Sequence, residues 1–179
     1  RDQLASRDGD QRHDSRSGVR NQESGIMSQQ PILEQRDRDA LSSYFAERLT
    51  APVAVTLVTQ RPSLLTVPGR ECPSCAETQQ LLEEVAELSD HIQLDVRNYW
   101  QERDAAEELG IARIPAFVVR GQGRGTVRFF GAPAGYEFSV LVEDLPSIAS
   151  GDSGLSAPTR EALAQLAQDV HIQVFSTPG

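Results

Sequence analysis

The chain has 179 residues, of which 39% are hydrophobic, and this suits one ordinary globular domain with residues to spare. Its formal net charge of −9 argues against nucleic acid or an anionic membrane as a partner. No apolar stretch approaches the roughly 18 residues that a membrane-spanning helix requires, and all 17 basic residues are arginine, which excludes a catalytic lysine.

Residues 1–30 are rich in Arg, Asp, Ser, Gln and Gly, and their few aliphatic residues are scattered. We predict that this segment is disordered, because it cannot bury enough apolar surface to offset the entropy lost on ordering. Residues 1–26 also lack the apolar core of a secretory signal peptide, so a cytoplasmic location is expected. Met27 is a candidate for the natural start of the protein.

Hydrophobic periodicity divides the first part of residues 31–150 into alternating helices and strands. Leucines and aromatic residues recur at helical spacing over residues 36–50. A short apolar, β-branched run at 53–58 predicts a central strand that is covered on both faces. After a proline-containing loop, an amphipathic pattern predicts a helix over residues 73–89, and alternation predicts a strand at 92–96.

The second part of this region begins with a short predicted helix at residues 101–109. Two apolar segments at 116–119 and 126–130 flank a glycine-rich turn, which predicts an antiparallel hairpin. A last amphipathic helix is predicted around residues 138–148. The alternation of strands and helices indicates an α/β fold.

The C-terminal residues repeat an earlier pattern. A polar linker at 150–158 precedes a predicted helix near 159–168 and a predicted strand at 171–175. This helix and strand are a weaker copy of residues 38–58, since both segments open with Arg, an acidic residue, Ala and Leu. We interpret residues 151–179 as a linker followed by the start of a truncated second unit, whose strand offers a route to a homo-oligomer.

The two cysteines, Cys72 and Cys75, are spaced C-P-S-C at the start of a predicted helix that follows a buried strand. Such a pair beside a βαβ pattern predicts a thioredoxin-like redox motif. The free N–H groups and dipole of a helix N-terminus favour a thiolate at Cys72, and Pro73 suits the first helical position. The spacing also puts both side chains on one helix face, within reach of a disulfide. We predict an exposed nucleophilic Cys72 and a deeper Cys75 that resolves the mixed disulfide.

Two other interpretations of the cysteine pair lead to a non-catalytic module. Zinc needs four ligands, and the pair supplies two, so a metal site requires two chains. His13, His91 and His171 lie far apart in the sequence, and we therefore predict no metal site within one chain. A purely structural disulfide would add little stability, because it closes a very short loop.

This layout resembles the thioredoxin superfamily, and more narrowly the glutaredoxin-like protein disulfide oxidoreductases, which carry two thioredoxin-fold units in tandem. The resemblance implies a thioredoxin-like α/β fold with a mixed central sheet and helices on both faces. It also implies a nucleophilic Cys72 and a resolving Cys75. The residues that carry it cover one whole unit, roughly residues 37–150, and include VAVTLV (53–58), CPSCAETQQLLEEVAELS (72–89), IARIPAFVV (111–119) and VRFFGAPAGYEF (127–138).

The resemblance assigns further residues to the site. Pro73 and Ser74, between the cysteines, are supporting residues. The peptide bond before Pro115 is expected to be cis, and the backbone of Ile114 is expected to pair with the substrate beside the disulfide. Independently of the resemblance, Arg113, just before Ile114, is interpreted as a surface charge that aids solubility, with steering of an acidic substrate or stabilisation of the thiolate as the alternatives.

The function implied by the resemblance is thiol–disulfide exchange with protein substrates, without a bound cofactor and with an upstream reductase as partner. The second enzymatic interpretation is an electron-relay domain that serves a peroxidase system. Tyr99 and Trp100 are expected to pack or to line the rim of the unit, and Trp100 is also a candidate for lining a substrate groove.

Overall fold

The computed structural model describes residues 30–61, 67–123 and 125–175. The N-terminal segment predicted to be disordered and Met27 both lie outside these residues. The helices and strands are, in chain order, α1 (Gln35–Arg48), β1 (Val53–Thr59), α2 (Cys75–Ala86), β2 (Ile92–Asn98), α3 (Arg103–Glu108), β3 (Ala116–Arg120), β4 (Val127–Phe130), α4 (Tyr136–Ser150) and α5 (Ala157–Ala164).

The four strands form one sheet in the order β2-β1-β3-β4. Strand β1 runs parallel to β2 and antiparallel to β3, and β3 and β4 form the predicted antiparallel hairpin. Val55 lies opposite Leu94 on one side and Val119 on the other. The nearly continuous apolar sequence of β1 therefore belongs to an interior strand, and the predicted mixed sheet is confirmed.

Helices cover both faces of the sheet, as predicted. The larger hydrophobic cluster joins α1, α2 and α4 to one face, with Phe45, Leu57 and Phe117 fully buried in it. The smaller cluster packs α3 against the other face, where Ala106 and Val118 are buried. Burial of apolar surface on both faces is the main favourable contribution to folding of such a sheet.

The end of β3 approaches the last turn of α4 so closely that a side chain does not fit between them. Gly121 follows β3, and a Cβ atom at this position would overlap the backbone carbonyl of Ile148. Glycine is thus required here by a contact between two elements.

Helix α2 begins later than predicted. Residues 72–75 form a turn in which the Cys75 N–H donates to the Cys72 carbonyl at 3.3 Å. The first helical hydrogen bond runs from the Thr78 N–H to the Ser74 carbonyl, at 2.9 Å. Pro73 therefore lies in the turn and not at the first helical position, so that part of the prediction is wrong. The physical reason is that the tight turn satisfies the Cys75 N–H before the helix begins.

Residues 151–175 contribute no buried side chain. Helix α5 ends at Ala164, before the predicted 168, and the strand predicted at 171–175 is not formed. Ile172 and Phe175 are 79% and 90% exposed. An isolated apolar segment has no neighbouring strand to accept its hydrogen bonds, which explains the missing strand. Within the described part of the chain, no helix combines the length and apolar character needed to span a membrane.

Candidate active site

Cys72 and Cys75 form a disulfide at one end of the sheet, with their Cα atoms 5.4 Å apart. Cys75 is the first residue of α2 and is only 2% exposed, whereas Cys72 in the preceding turn is half-buried. The two sulfur-bearing residues thus differ in access, and the outer one is Cys72.

Thr59, the last residue of β1, connects this disulfide to the sheet. Its side chain is fully buried, and its Oγ1 donates to the Cys75 carbonyl at 3.4 Å. Its own carbonyl accepts a hydrogen bond from the Tyr99 N–H at 2.9 Å. Thr59 was not predicted from the sequence, although a polar residue at the end of a nearly continuous apolar strand was a usable signal.

The peptide bond between Ile114 and Pro115 is cis, as the resemblance implies. The register of β1 and β3 places Val58 opposite Ala116. Pro115, one residue earlier in an antiparallel strand, is therefore at the level of Thr59 and next to the start of α2. The fold brings the two cysteines and the Ile114–Pro115 segment to the same end of the sheet.

The backbone on either side of this cis bond is used differently. The Pro115 carbonyl accepts a hydrogen bond from the Gly131 N–H at 2.8 Å. Ile114 is half-buried and makes no hydrogen bond with any residue in the described ranges. The preceding residue, Arg113, is exposed and lies over the ring of Phe130 at 5.3 Å. The backbone of Ile114 therefore lies at the disulfide end of the sheet without a partner among the described residues.

Two aromatic residues follow β2 at the same end of the sheet. Tyr99 is 7% exposed and Trp100 is half-buried, and their rings meet edge to face at 5.1 Å. The indole Nε1 of Trp100 donates to Gln60 Oε1 at 2.9 Å. The Arg70 guanidinium lies over the Trp100 ring at 4.4 Å, and that of Arg103 lies over the Tyr99 ring at 4.7 Å. The packing role expected for Tyr99 is confirmed.

Ser74 and Pro73 complete the turn between the cysteines. Ser74 is the N-cap residue of α2, but its side chain makes no capping hydrogen bond. Pro73 is exposed. Among the residues that the structure describes, no group of three or more His, Cys, Asp or Glu side chains is arranged to hold a metal ion.

Comparison with known proteins agrees with this geometry. Residues 64–143 match the model of the thioredoxin domain family. The thioredoxin of Methanocaldococcus jannaschii is 35% identical over 63 residues, which cover 35% of this chain and 69% of that protein. The chain belongs to the thioredoxin domain family. The thioredoxin superfamily predicted from the sequence is thereby confirmed.

Solved structures extend the similarity beyond the matched region. A protein disulfide oxidoreductase from Aeropyrum pernix is 27% identical with a TM-score of 0.62, over 74% of this chain and 55% of that chain. The AhpF component of the alkylhydroperoxide reductase of Enterococcus faecalis is 24% identical with a TM-score of 0.60, over 75% of this chain and 61% of that chain. This second similarity shows the fold alone. The chain spans little more than half the length of either solved chain.

Proposed function

We propose that this chain exchanges the Cys72–Cys75 dithiol and disulfide with disulfides and dithiols of protein substrates. The observation that carries the proposal is the formed disulfide, which joins a half-buried Cys72 to a buried Cys75. Exchange with a protein disulfide needs one accessible sulfur that attacks the substrate. It also needs a second, protected sulfur that lies within bonding distance and resolves the mixed disulfide. The pair fulfils both requirements.

In the reducing direction, the Cys72 thiolate attacks one sulfur of the substrate disulfide. A bond forms between Cys72 and that sulfur, the substrate bond breaks, and one substrate thiolate leaves. The Cys75 thiolate then attacks the Cys72 sulfur, which re-forms the protein disulfide and releases the second substrate thiolate. Two electrons pass from the protein dithiol to the substrate, and the released thiolates take protons from solvent. An upstream dithiol reductase restores the protein dithiol, and substrate oxidation is the reverse sequence.

The surroundings of the two cysteines support these roles. The N–H groups at the start of α2 favour negative charge in the turn that holds Cys72. The hydrogen bond from Thr59 fixes the backbone at Cys75, which keeps the inner sulfur in place for the second step. Pro73 and Ser74 support the pair by forming the turn between them.

The backbone of Ile114 is proposed to bind the substrate. Its N–H and C=O groups have no partner among the described residues, and the following bond to Pro115 is cis. An extended substrate segment pairs with free backbone groups as an added strand does. Such pairing would hold the substrate cysteine next to Cys72 without requiring a particular side chain.

The test compares Cys75→Ser with Cys72→Ser, two matched variants of the full chain. Each is reduced, freed of reductant and incubated with a two-chain disulfide protein such as insulin. We expect Cys75→Ser to accumulate a mixed disulfide through Cys72, detected by mass spectrometry, because the resolving step is missing. Cys72→Ser is expected to give none, because its remaining thiol is buried. Equal trapping by both variants would show that the roles are assigned wrongly.

A further inference from the structure

A cluster of arginines and aromatic rings lies close to the disulfide. Arg70 precedes Cys72 by two residues, and its guanidinium stacks on Trp100. Trp100 in turn donates a hydrogen bond to Gln60. Gln60 follows Thr59, and the Thr59 side chain donates a hydrogen bond to the backbone carbonyl of Cys75. We name Arg61, Arg70, Trp100 and Arg103 the arginine–aromatic patch.

A hollow of about 190 Å³ opens within this patch. The residues that line it include Arg61 and Arg70, the amide-bearing Gln60 and Asn98, and Trp100. None of its described lining residues is acidic. The hollow is thus lined by hydrogen-bond donors and a flat ring, with no carboxylate of its own.

The donors in this wall are largely unused. Gln60 Oε1 accepts from the Trp100 indole, and Asn98 Oδ1 accepts from the Trp100 backbone N–H at 3.0 Å. The side-chain amide nitrogens of Gln60 and Asn98 donate to no acceptor in residues 30–61, 67–123 and 125–175. In the same ranges, neither Arg61 nor Arg70 forms an ion pair. The site offers several N–H groups to a ligand that carries acceptor oxygens.

Stacking prepares the arginines for binding. Arg70 lies over the Trp100 ring at 4.4 Å, and Arg103 lies 5.7 Å from the same ring. A guanidinium held flat on an aromatic ring keeps its N–H edge open, and that edge matches a carboxylate with two parallel hydrogen bonds. Because the side chain is already ordered, less entropy is lost on binding.

Three acidic residues adjoin the patch in sequence, Glu71, Glu102 and Asp104, and the first two accept hydrogen bonds from nearby backbone N–H groups. Glu102 accepts a hydrogen bond from the Asn98 N–H at 3.1 Å, and Glu71 accepts one from the Gly69 N–H at 2.9 Å. The whole chain carries a net charge of −9, so an acidic segment is favoured where arginines form no ion pair. The patch offers such arginines, and docking there would also fix the orientation of the segment.

We propose that the arginine–aromatic patch binds an acidic side chain of the protein substrate, close to the cysteine whose disulfide is exchanged. This inference rests on the proposed function and names its substrate class. Trp100 supplies an apolar surface for the stem of the acidic side chain, and Arg70 and Arg61 bind its carboxylate. The patch therefore selects substrates that carry Asp or Glu near the reactive cysteine.

The test uses two peptide disulfides that differ only in Glu or Gln beside the cysteine, with dithiothreitol as the reductant of the full chain. We expect kcat/KM to favour the Glu peptide roughly tenfold at low salt, the size of a charge-assisted hydrogen bond. The preference should shrink as sodium chloride rises. In Arg70→Gln, the ratio of kcat/KM for the Glu peptide to that for the Gln peptide should be close to one. Because a change in thiol reactivity affects both peptides equally, it does not alter this ratio.

Arg48→Gln is the matched control. Arg48 also lies over an aromatic ring, that of Tyr44 at 5.1 Å, but at the opposite end of β1. It is about 20 Å from the disulfide by strand length, and its variant should keep the full preference for Glu. Equal rates for the two peptides in the parent chain, or an unchanged ratio in Arg70→Gln, would overturn the inference. Failure to reduce neutral hydroxyethyl disulfide would instead overturn the proposed function, and the inference with it.

Discussion

At the scale of single residues, Glu84 is a buried carboxylate that ties two parts of the chain together. It is 8% exposed on α2, and its two oxygens accept hydrogen bonds from the Ile32 and Leu33 N–H groups at 2.9 Å each. Burial raises the pKa of Glu84, but the bonds from Leu33 and Ile32, with those from Gln80 and the charge of Arg38, outweigh burial. Its pKa therefore lies below the ordinary value.

This lowered pKa predicts a pH-dependent contribution to stability. The charged Glu84 stabilises the fold above the unfolded-state pKa of about 4.3, and the contribution is lost as pH falls through the lower folded-state pKa. Glu84→Gln should reduce the free energy of unfolding at pH 7 by roughly 1–3 kcal/mol. Urea unfolding at pH 7 and at progressively lower pH measures the difference in the free energy of unfolding between the parent and Glu84→Gln. This difference should become smaller in acid.

Glu83→Gln, an exposed neighbour on the same helix, is the control and should change stability by less than about 0.5 kcal/mol. If the stability lost in Glu84→Gln stays constant from pH 7 into acid, the loss comes from the changed packing at this position and not from the charge of Glu84.

At the scale of elements, the contact between β3 and α4 makes a sharp prediction. Gly121→Ala places a methyl group against the Ile148 carbonyl, so one of the two elements must shift. Overpacking of this kind costs about 1–3 kcal/mol, measurable as a lower urea midpoint. Gly125→Ala is the matched control in the same hairpin, because a Cβ there meets nothing within 4 Å. Equal loss in both variants would contradict a steric cause.

The sheet and most helices could be predicted from sequence because each has a periodic apolar pattern. The run before Thr59 identified β1, and the glycine-rich turn identified the hairpin. The late start of α2 could not be predicted, since the turn at 72–75 depends on a hydrogen bond across C-P-S-C. The prediction of a strand at 171–175 is wrong. The alternation of apolar residues in this segment does not show whether a partner strand exists.

The candidate site was predicted in part. The cysteine pair and the Ile114–Pro115 segment have recognisable motifs, and the fold brings them to one end of the sheet. The roles predicted for these residues stay predictions until the variants are measured. Gln60 and Arg70 were missed, because their contacts with Trp100 join segments about 30 to 40 residues apart in the sequence and exist only in the folded chain.

At the scale of the whole molecule, residues 151–175 are exposed throughout and form only α5. We propose that they are a linker and the start of a second unit. Ending the chain after residue 153 keeps Gly151, which ends α4 in a left-handed conformation. We expect disulfide exchange within a few-fold of the parent, because residues 154–175 contribute no buried side chain. Unfolding or loss of activity would show that the tail belongs to the first unit.

Trp100 is the single tryptophan of the chain, and it lies at the disulfide end of the sheet. Ultraviolet fluorescence excited at the red edge of protein absorption therefore comes from one place in the molecule. Its hydrogen bond to Gln60 and the adjacent contact of Thr59 with Cys75 couple that place to the cysteine pair. We therefore expect the emission of the unlabelled protein to change when the cysteine pair is reduced and when an acidic peptide binds to the patch.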